Sequence, residues 1–334
     1  MTTASRDHWG VLTLFVTLAV TAGIVATAVF SLELSQRSLG IVEAVVSEST
    51  AVLLGFGLVT QFGDPWFLLL VASAVYLLGA SRGIVERPAD GAFVVAVAYG
   101  AFALTDVLKH AYRFPRPPGA DTVTIPEWLP SALAGLFRNL TTGTGYGFPS
   151  GHALGTTAVF CALAYKLSVG SSRTRWGVAS LGIGVIAVSR LVLGVHFFVD
   201  LVVGVATGLA FLGAAIWVGD DDPTKVFGLA AVLGGIAVVA AALEPTGSVW
   251  SAGQWLGAAT GAGYVWMRVR PSRSLGIVPA LLAAGPLGVI WVAAYAWSPH
   301  VVVTVLLTAV LGGWTVGAPV LVSRLAVDRS SSRA

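Results

Sequence analysis

Charge is what this chain has least of. Asp, Glu, Lys and Arg make up 10% of its 334 residues, where a soluble domain carries about 25%. Hydrophobic residues reach 56% and mean hydropathy is +0.85, a balance that excludes an ordinary soluble fold and reads as an integral membrane protein. Carboxylates are scarce, 16 against 19 Lys and Arg, so the net charge of +3 and a pI near 9.2 follow without a basic stripe. The arginines are scattered between apolar runs, which argues against nucleic-acid binding and for topology signals in loops. A single cysteine, Cys161, excludes an intramolecular disulfide and lies in an apolar run, where packing is its expected role. A cleavable leader is not evident either: the apolar stretch after Arg6 continues past signal length and reads as an uncleaved first span.

Long apolar runs are abundant. A bilayer core asks for about 20 such residues per helix. Candidate spans are Trp9–Leu32, Pro65–Ser81, Ala92–Tyr112, Gly151–Val169, Trp176–Val195, His196–Val218, Val226–Leu243, Trp250–Met267, Leu275–Trp297 and Val301–Val322. The acidic stretch Gly219–Thr224 separates the first six from the last four. This predicts an all-α, polytopic membrane helix bundle divided into residues 1–218, a hinge at 219–225 and a C-terminal membrane region at 226–334. Gly257, Gly261 and Gly263 in that last region suit close helix packing. Packing, oligomerisation or a wider lipid entrance is all that region suggests, so a homo-oligomer is an open expectation.

Leu39–Phe62 is interrupted by Glu43, Ser47, Glu48, Ser49 and Thr50. It reads as an interfacial helix followed by a re-entrant or connecting stretch. With ten spans and a cytoplasmic N-terminus, 13 of the 19 Lys and Arg fall inside and six outside, as the positive-inside tendency asks. Both termini are then cytoplasmic. Tyr112–Phe148 is a long proline-rich outer loop, in which Trp128, Leu129, Leu133, Leu136 and Phe137 suit a short amphipathic helix on the membrane surface.

Against this apolar background stand three polar clusters. They are Lys109-x6-Arg116-Pro117, Pro149-Ser150-Gly151-His152, and Ser189-Arg190-x5-His196-x3-Asp200. All fall at expected helix ends on the outer face. Ionisable side chains are expensive near hydrocarbon, so their concentration is a functional-site signal. Three cations suit a phosphate. Pro149, Ser150 and Gly151 open a helix whose free N–H groups attract anions, and His152 sets a titratable group beside them. His196 and Asp200 are spaced i, i+4, so on one helix they would lie a turn apart and hydrogen-bond. A carboxylate on one ring nitrogen leaves the other free to attack. Arg190 has the planar fork that grips phosphoryl oxygens.

These three motifs resemble, without departure in the signature residues, the type 2 phosphatidic acid phosphatase superfamily. The resemblance covers about Trp9 to Val218, the family's six-span core; the four further spans lie outside it. It implies that His196 attacks phosphorus and becomes phosphohistidine, that Asp200 orients it, and that His152 protonates the leaving group and then activates water. It further implies that Lys109, Arg116, Arg190, Ser150 and Gly151 hold the phosphate oxygens, with no metal and no cofactor. Membrane embedding then points to membrane lipids as partners: a lipid phosphate or a polyprenyl mono- or diphosphate, handled at the extracytoplasmic head-group level. Two other readings stay open: a lipid phosphotransferase using the same intermediate, and a non-catalytic lipid-binding or transport protein.

Overall fold

The computed structural model describes residues 37–47, 49–219, 222–244, 249–285 and 300–331, with side chains up to residue 322. The first expected span, Trp9–Leu32, lies outside the described residues, as do residues 220–221 of the acidic hinge and most of Leu275–Trp297. What is described of that last span is helical at residues 277–285.

The regular structure of the described residues is helical, apart from one isolated bridge between Val85 and Leu167. The helices are α1 (Ile41–Val45), α2 (Thr50–Thr60), α3 (Pro65–Leu78), α4 (Pro88–Tyr112), α5 (Ser131–Thr141), α6 (Gly151–Lys166), α7 (Ser172–Val192), α8 (Phe198–Gly219), α9 (Pro223–Ala242), α10 (Val249–Val269) and α11 (Val301–Ser331). Among the described residues, five runs are long and apolar enough to cross a membrane: α4, α7, α8, α9 and Val301–Val322 of α11. The protein is a multi-pass all-α bundle, as its composition predicts.

Three expectations gain detail or need correction. First, the re-entrant alternative expected for Leu39–Phe62 stays open in the structure. After α1, the chain runs through α2 and a 3-10 turn to Gly63, breaks at Asp64 with a 44° bend, and continues as α3. Thr50–Gly63 and Pro65–Leu78 are therefore one broken span or a re-entrant pair. The break has a local cause, since Pro65 can start a helix but lacks the N–H to continue one. Second, α6 has 16 residues, short of the roughly 20 that span a bilayer core. Third, the surface helix begins only at Ser131, because Trp128 and Leu129 precede Pro130. Within it Phe137 is buried while Leu133 and Leu136 stay exposed.

Helix ends are set by familiar chemistry. Asp222 caps α9 by accepting from the Thr224 N–H at 3.1 Å, with Pro223 in the first turn. Ser171 accepts from the Thr174 N–H at 3.1 Å to start α7. That helix ends just before Gly194, whose φ of +65° suits a residue without a side chain.

The chain gathers into two compact units. One takes residues up to Leu68, Leu108–Cys161 and Trp176–Ala214; the other takes Leu69–Val107, Ala162–Arg175 and everything from Ala215. In the first, glycines let α8 approach α6: a Cβ on Gly204 would stand 2.8 Å from the Ser150 carbonyl oxygen, and one on Gly208 2.7 Å from that of Leu154. In the second, α10 and α11 meet at backbone distance, so a Cβ on Gly261 would lie 1.9 Å from the Ala309 carbonyl oxygen. The expected packing role of Gly257 and Gly261 is thus visible, and Gly263 approaches Phe227 of α9. Asp106 of the second unit accepts from Ser251 Oγ at 2.7 Å and Trp255 Nε1 at 3.1 Å, and Phe102 stacks on Trp255.

Candidate active site

All eight residues singled out in the three motifs lie in the first unit. Each sits where a helix starts or stops. Lys109 is in the last turn of α4, and Arg116 is four residues past its end. Ser150 directly precedes α6, whose first residues are Gly151 and His152. Arg190 is in the last turn of α7, and Asp200 is in the first turn of α8. His196 lies on the turn between α7 and α8, two residues before Phe198, so it shares no helix with Asp200 and the expected span His196–Val218 starts later.

The site is built around His196, whose side chain is 1% exposed. Its Nε2 stands 3.1 Å from a terminal nitrogen of Arg116. A guanidinium can only donate, so Nε2 carries the lone pair and Nδ1 carries the proton. That proton faces Asp200, but Nδ1 to Oδ2 is 3.5 Å and no hydrogen bond forms. The tight one-turn pair expected from i, i+4 spacing is therefore a looser contact across a helix start. Burial first, then the positive charges of Arg116, Arg190 and Lys109 and the nearby His152, hold the His196 imidazole well below its ordinary value.

Arg116 is threaded through its own loop. Its Nε donates to the Thr144 carbonyl at 2.9 Å and its terminal nitrogen to the Val195 carbonyl at 2.8 Å. A Cβ on Gly143 would fall 2.9 Å from that nitrogen, which explains a glycine there. Burial lowers the Arg116 guanidinium to about 10, still charged at neutral pH. Arg190 donates to Thr60 Oγ1 at 2.9 Å, while its Nε is buried without a partner. Ser150 is fully buried; its N–H donates to the Asp200 carbonyl at 3.0 Å, and its hydroxyl accepts from the Ala153 N–H at 3.4 Å as the helix cap.

Two residues outside the motifs enter the site. Arg37 donates to Asp200 Oδ1 at 2.6 Å, and the two side chains are 2% and 0% exposed. Its other terminal nitrogen donates to the Pro115 carbonyl at 3.2 Å, and the guanidinium lies over the rings of Phe197, Phe114 and Phe148. Asp200 Oδ2 meanwhile accepts from the Phe197 N–H at 3.0 Å, the reach-back half of a capping box. Asp200 is thus fixed from both sides. The second residue is Asp64, at the break between α2 and α3: its Oδ1 lies 3.1 Å from His152 Nε2, an ion-pair distance but off the line of a straight hydrogen bond. Neither residue belongs to a recognisable motif. A charge inside the apolar Gly63-Asp64-Pro65 break was the one available signal for Asp64, whereas Arg37 reads as an ordinary loop cation.

Beside this cluster opens a cavity of about 710 Å3. Ser47, Thr50, Thr122, Thr124 and Thr141 give it hydroxyl groups, and it reaches Leu193 and Gly194 on the turn that carries His196. Among the described residues, no three His, Cys, Asp or Glu side chains gather in a metal-ligating group.

Fold and site together define a helical membrane protein with several cations near a buried imidazole. The PAP2 superfamily profile matches residues 91–222. The decaprenylphosphoryl-5-phosphoribose phosphatase of Mycolicibacterium smegmatis is 32% identical over 166 residues, 49% of this chain and 77% of that protein. No solved structure matches the chain. The chain belongs to the PAP2 superfamily, and it is a phosphatase.

Proposed function

We propose that this protein hydrolyses a lipid phosphate without a metal, through a phosphohistidine on His196, at the extracytoplasmic head-group level. The observation that carries the reading is the lone pair of His196 Nε2 facing Arg116, in a pocket where Arg190 and Lys109 also act on the same ring. Phosphoryl transfer asks chiefly for positioning and neutralisation of the equatorial oxygens. Arg116, Lys109 and the unpaired Nε of Arg190 supply that charge, joined by Ser150 and the N–H of Gly151 at the start of α6. As the phosphoryl oxygens draw the Arg116 guanidinium, Nε2 is released to attack phosphorus. Asp200, held by Arg37 and the Phe197 N–H, faces the Nδ1 proton and offsets the positive charge that the ring gains.

His152 then has two tasks. It gives a proton to the departing oxygen, and it takes one from the water that opens the phosphohistidine. Both groups and the phosphate ligands fall within residues 1–218, which we take as the catalytic part, followed by the 219–225 hinge and the 226–334 membrane region. The excess of Lys and Arg expected on the inner side supports the outward placement of the pocket.

For the substrate we favour a polyprenyl-type phosphate bearing a hydroxylated head group. The Mycolicibacterium relative is named for a decaprenyl-linked phosphoribose, and the hydroxyl-lined cavity beside the His196 turn suits a polyol close to the phosphate. The test is phosphate release by purified protein from a panel of lipid phosphates with EDTA present. Release from a polyprenyl sugar phosphate ahead of phosphatidic acid is expected. Strict dependence on magnesium, or no release from any lipid phosphate, would overturn the proposal.

A further inference from the structure

His152 must carry a proton when the leaving group departs, yet its surroundings oppose that charge. Arg190 and Lys109 both act on it as positive neighbours, and His196 lies close enough to interact with it. Asp64 is the carboxylate among these neighbours.

The sequence places it deliberately. Asp64 is the only charged residue between Thr50 and Leu78, in a stretch apolar enough to enter the bilayer, where a carboxylate is expensive. The 44° break of the α2–α3 pair sets it against α6. Gly63 allows that approach: a Cβ there would stand 2.6 Å from Ile186 Cγ2, 3.0 Å from Thr156 Oγ1 and 3.2 Å from His152 Cδ2. Asp64 Oδ1 then comes within 3.1 Å of His152 Nε2, with the two side chains 25% and 17% exposed. The carboxylate also acts on Arg190.

We propose that Asp64 is the positioning residue of His152, pairing with Nε2–H so that the imidazolium form is held ready for the first step. The inference rests on the hydrolytic reading above and adds a second carboxylate–imidazole pair to the one on His196. With Nε2–H committed to Asp64, Nδ1 is the nitrogen that exchanges protons. As the ester P–O bond breaks and the bond from phosphorus to His196 Nε2 forms, the Nδ1 proton passes to the departing oxygen. His152 is then neutral, with Nε2–H still facing the Asp64 carboxylate. In the second step Nδ1 takes a proton from water, whose oxygen bonds to phosphorus while the P–N bond to His196 breaks.

A purely structural role has a definite alternative form. Asp64 directly precedes α3, and its carbonyl accepts from the Phe67 and Leu68 N–H groups at 3.1 Å, so it is also that helix's cap. Asn and Ser cap as well as Asp, so the capping role predicts that Asp64→Asn and Asp64→Ser are harmless.

The experiment compares an alkyl phosphate, a poor leaving group, with 4-nitrophenyl phosphate, a good one, using the full-length protein in detergent. General acid catalysis contributes roughly 10²–10⁴-fold. Asp64→Asn should lose at least about tenfold more kcat on the alkyl ester than on the aryl ester, and Asp64→Ser should do the same. In a His152→Ala background, Asp64→Asn should cost no further activity beyond about twofold, since residues acting through one group are not additive. Equal losses on both esters, or a full additional loss in that background, overturn the proposal. Failure of both variants to fold also overturns it, because the carboxylate would then be required by the fold itself rather than by His152. Leaving-group selectivity in His152→Ala but not in Asp64→Asn defeats the Asp64 assignment alone. Absence of selectivity in His152→Ala defeats the acid role of His152 and the pairing with it.

Discussion

Replacing Arg37 by alanine is expected to damage catalysis more than substrate binding, and the geometry sets the scale. Arg37 and Asp200 form a buried pair at 2.6 Å with side-chain exposures of 2% and 0%. Removing one partner of such a pair leaves an uncompensated charge and costs about 3–5 kcal/mol. The Asp200 carboxylate would keep only the Phe197 N–H at 3.0 Å, and its Oδ1 would either protonate or turn away. Its 3.5 Å approach to His196 Nδ1 is already long, so little displacement is needed to lose it. A misplacement of about 1 Å is worth roughly 10²-fold in rate. Arg37→Ala should therefore lower kcat for 4-nitrophenyl phosphate about 100-fold while KM changes less than about threefold, because the Arg37 guanidinium is spent on Asp200, Pro115 and three phenylalanine rings. Arg37→Lys should recover part of the rate, since an ammonium can pair with Asp200 but lacks the planar fork to reach Pro115 as well. Thermal melting in detergent separates the two effects: Arg37→Ala/Asp200→Asn should melt above Arg37→Ala, the stranded charge being gone. Wild-type kcat in Arg37→Ala, or a double variant that melts lower than both singles, would refute this reasoning.

Other perturbations test different parts of the molecule. Gly63→Ala should cut turnover at least about tenfold, because the new methyl would collide with Ile186 Cγ2 at 2.6 Å and press on His152; unchanged activity would mean the α2–α3 break can give way freely. Orthovanadate should inhibit competitively by occupying the phosphoryl pocket as a five-coordinate species, measured as a rise in apparent KM; insensitivity at millimolar concentration would count against that pocket. Gly261→Val should lower the melting temperature without changing leaving-group selectivity, since its side chain would meet the Ala309 backbone; a stable variant would contradict backbone-distance packing of α10 on α11.

What the sequence made legible was the chemistry with the shortest chain separation. Ser150, Gly151 and His152 are consecutive, Arg190, His196 and Asp200 lie within eleven residues, and all of them border helix ends that proline, glycine and polarity mark. The fold class followed from hydropathy alone. Arg37 is one scattered cation in the sequence, because its partner is 163 positions away and nothing local records that distance. Asp64 is inconspicuous for a related reason: its meaning depends on a bend that Gly63 and Pro65 permit but do not aim. The His196–Asp200 spacing misled in the opposite direction. An i, i+4 interval suggests one helix, yet α8 starts at Phe198, because Asp200 caps that start through the Phe197 N–H and leaves His196 outside.

The central claim is a covalent bond between phosphorus and His196 Nε2. Rapid acid-free quenching of the enzyme with a 32P-labelled lipid phosphate, followed by peptide mapping, tests it most directly. An acid-labile, base-stable label is expected on the peptide bearing His196, absent in His196→Ala and accumulating in His152→Ala with an activated aryl phosphate. A label on another residue, or undiminished hydrolysis by His196→Ala, would contradict it.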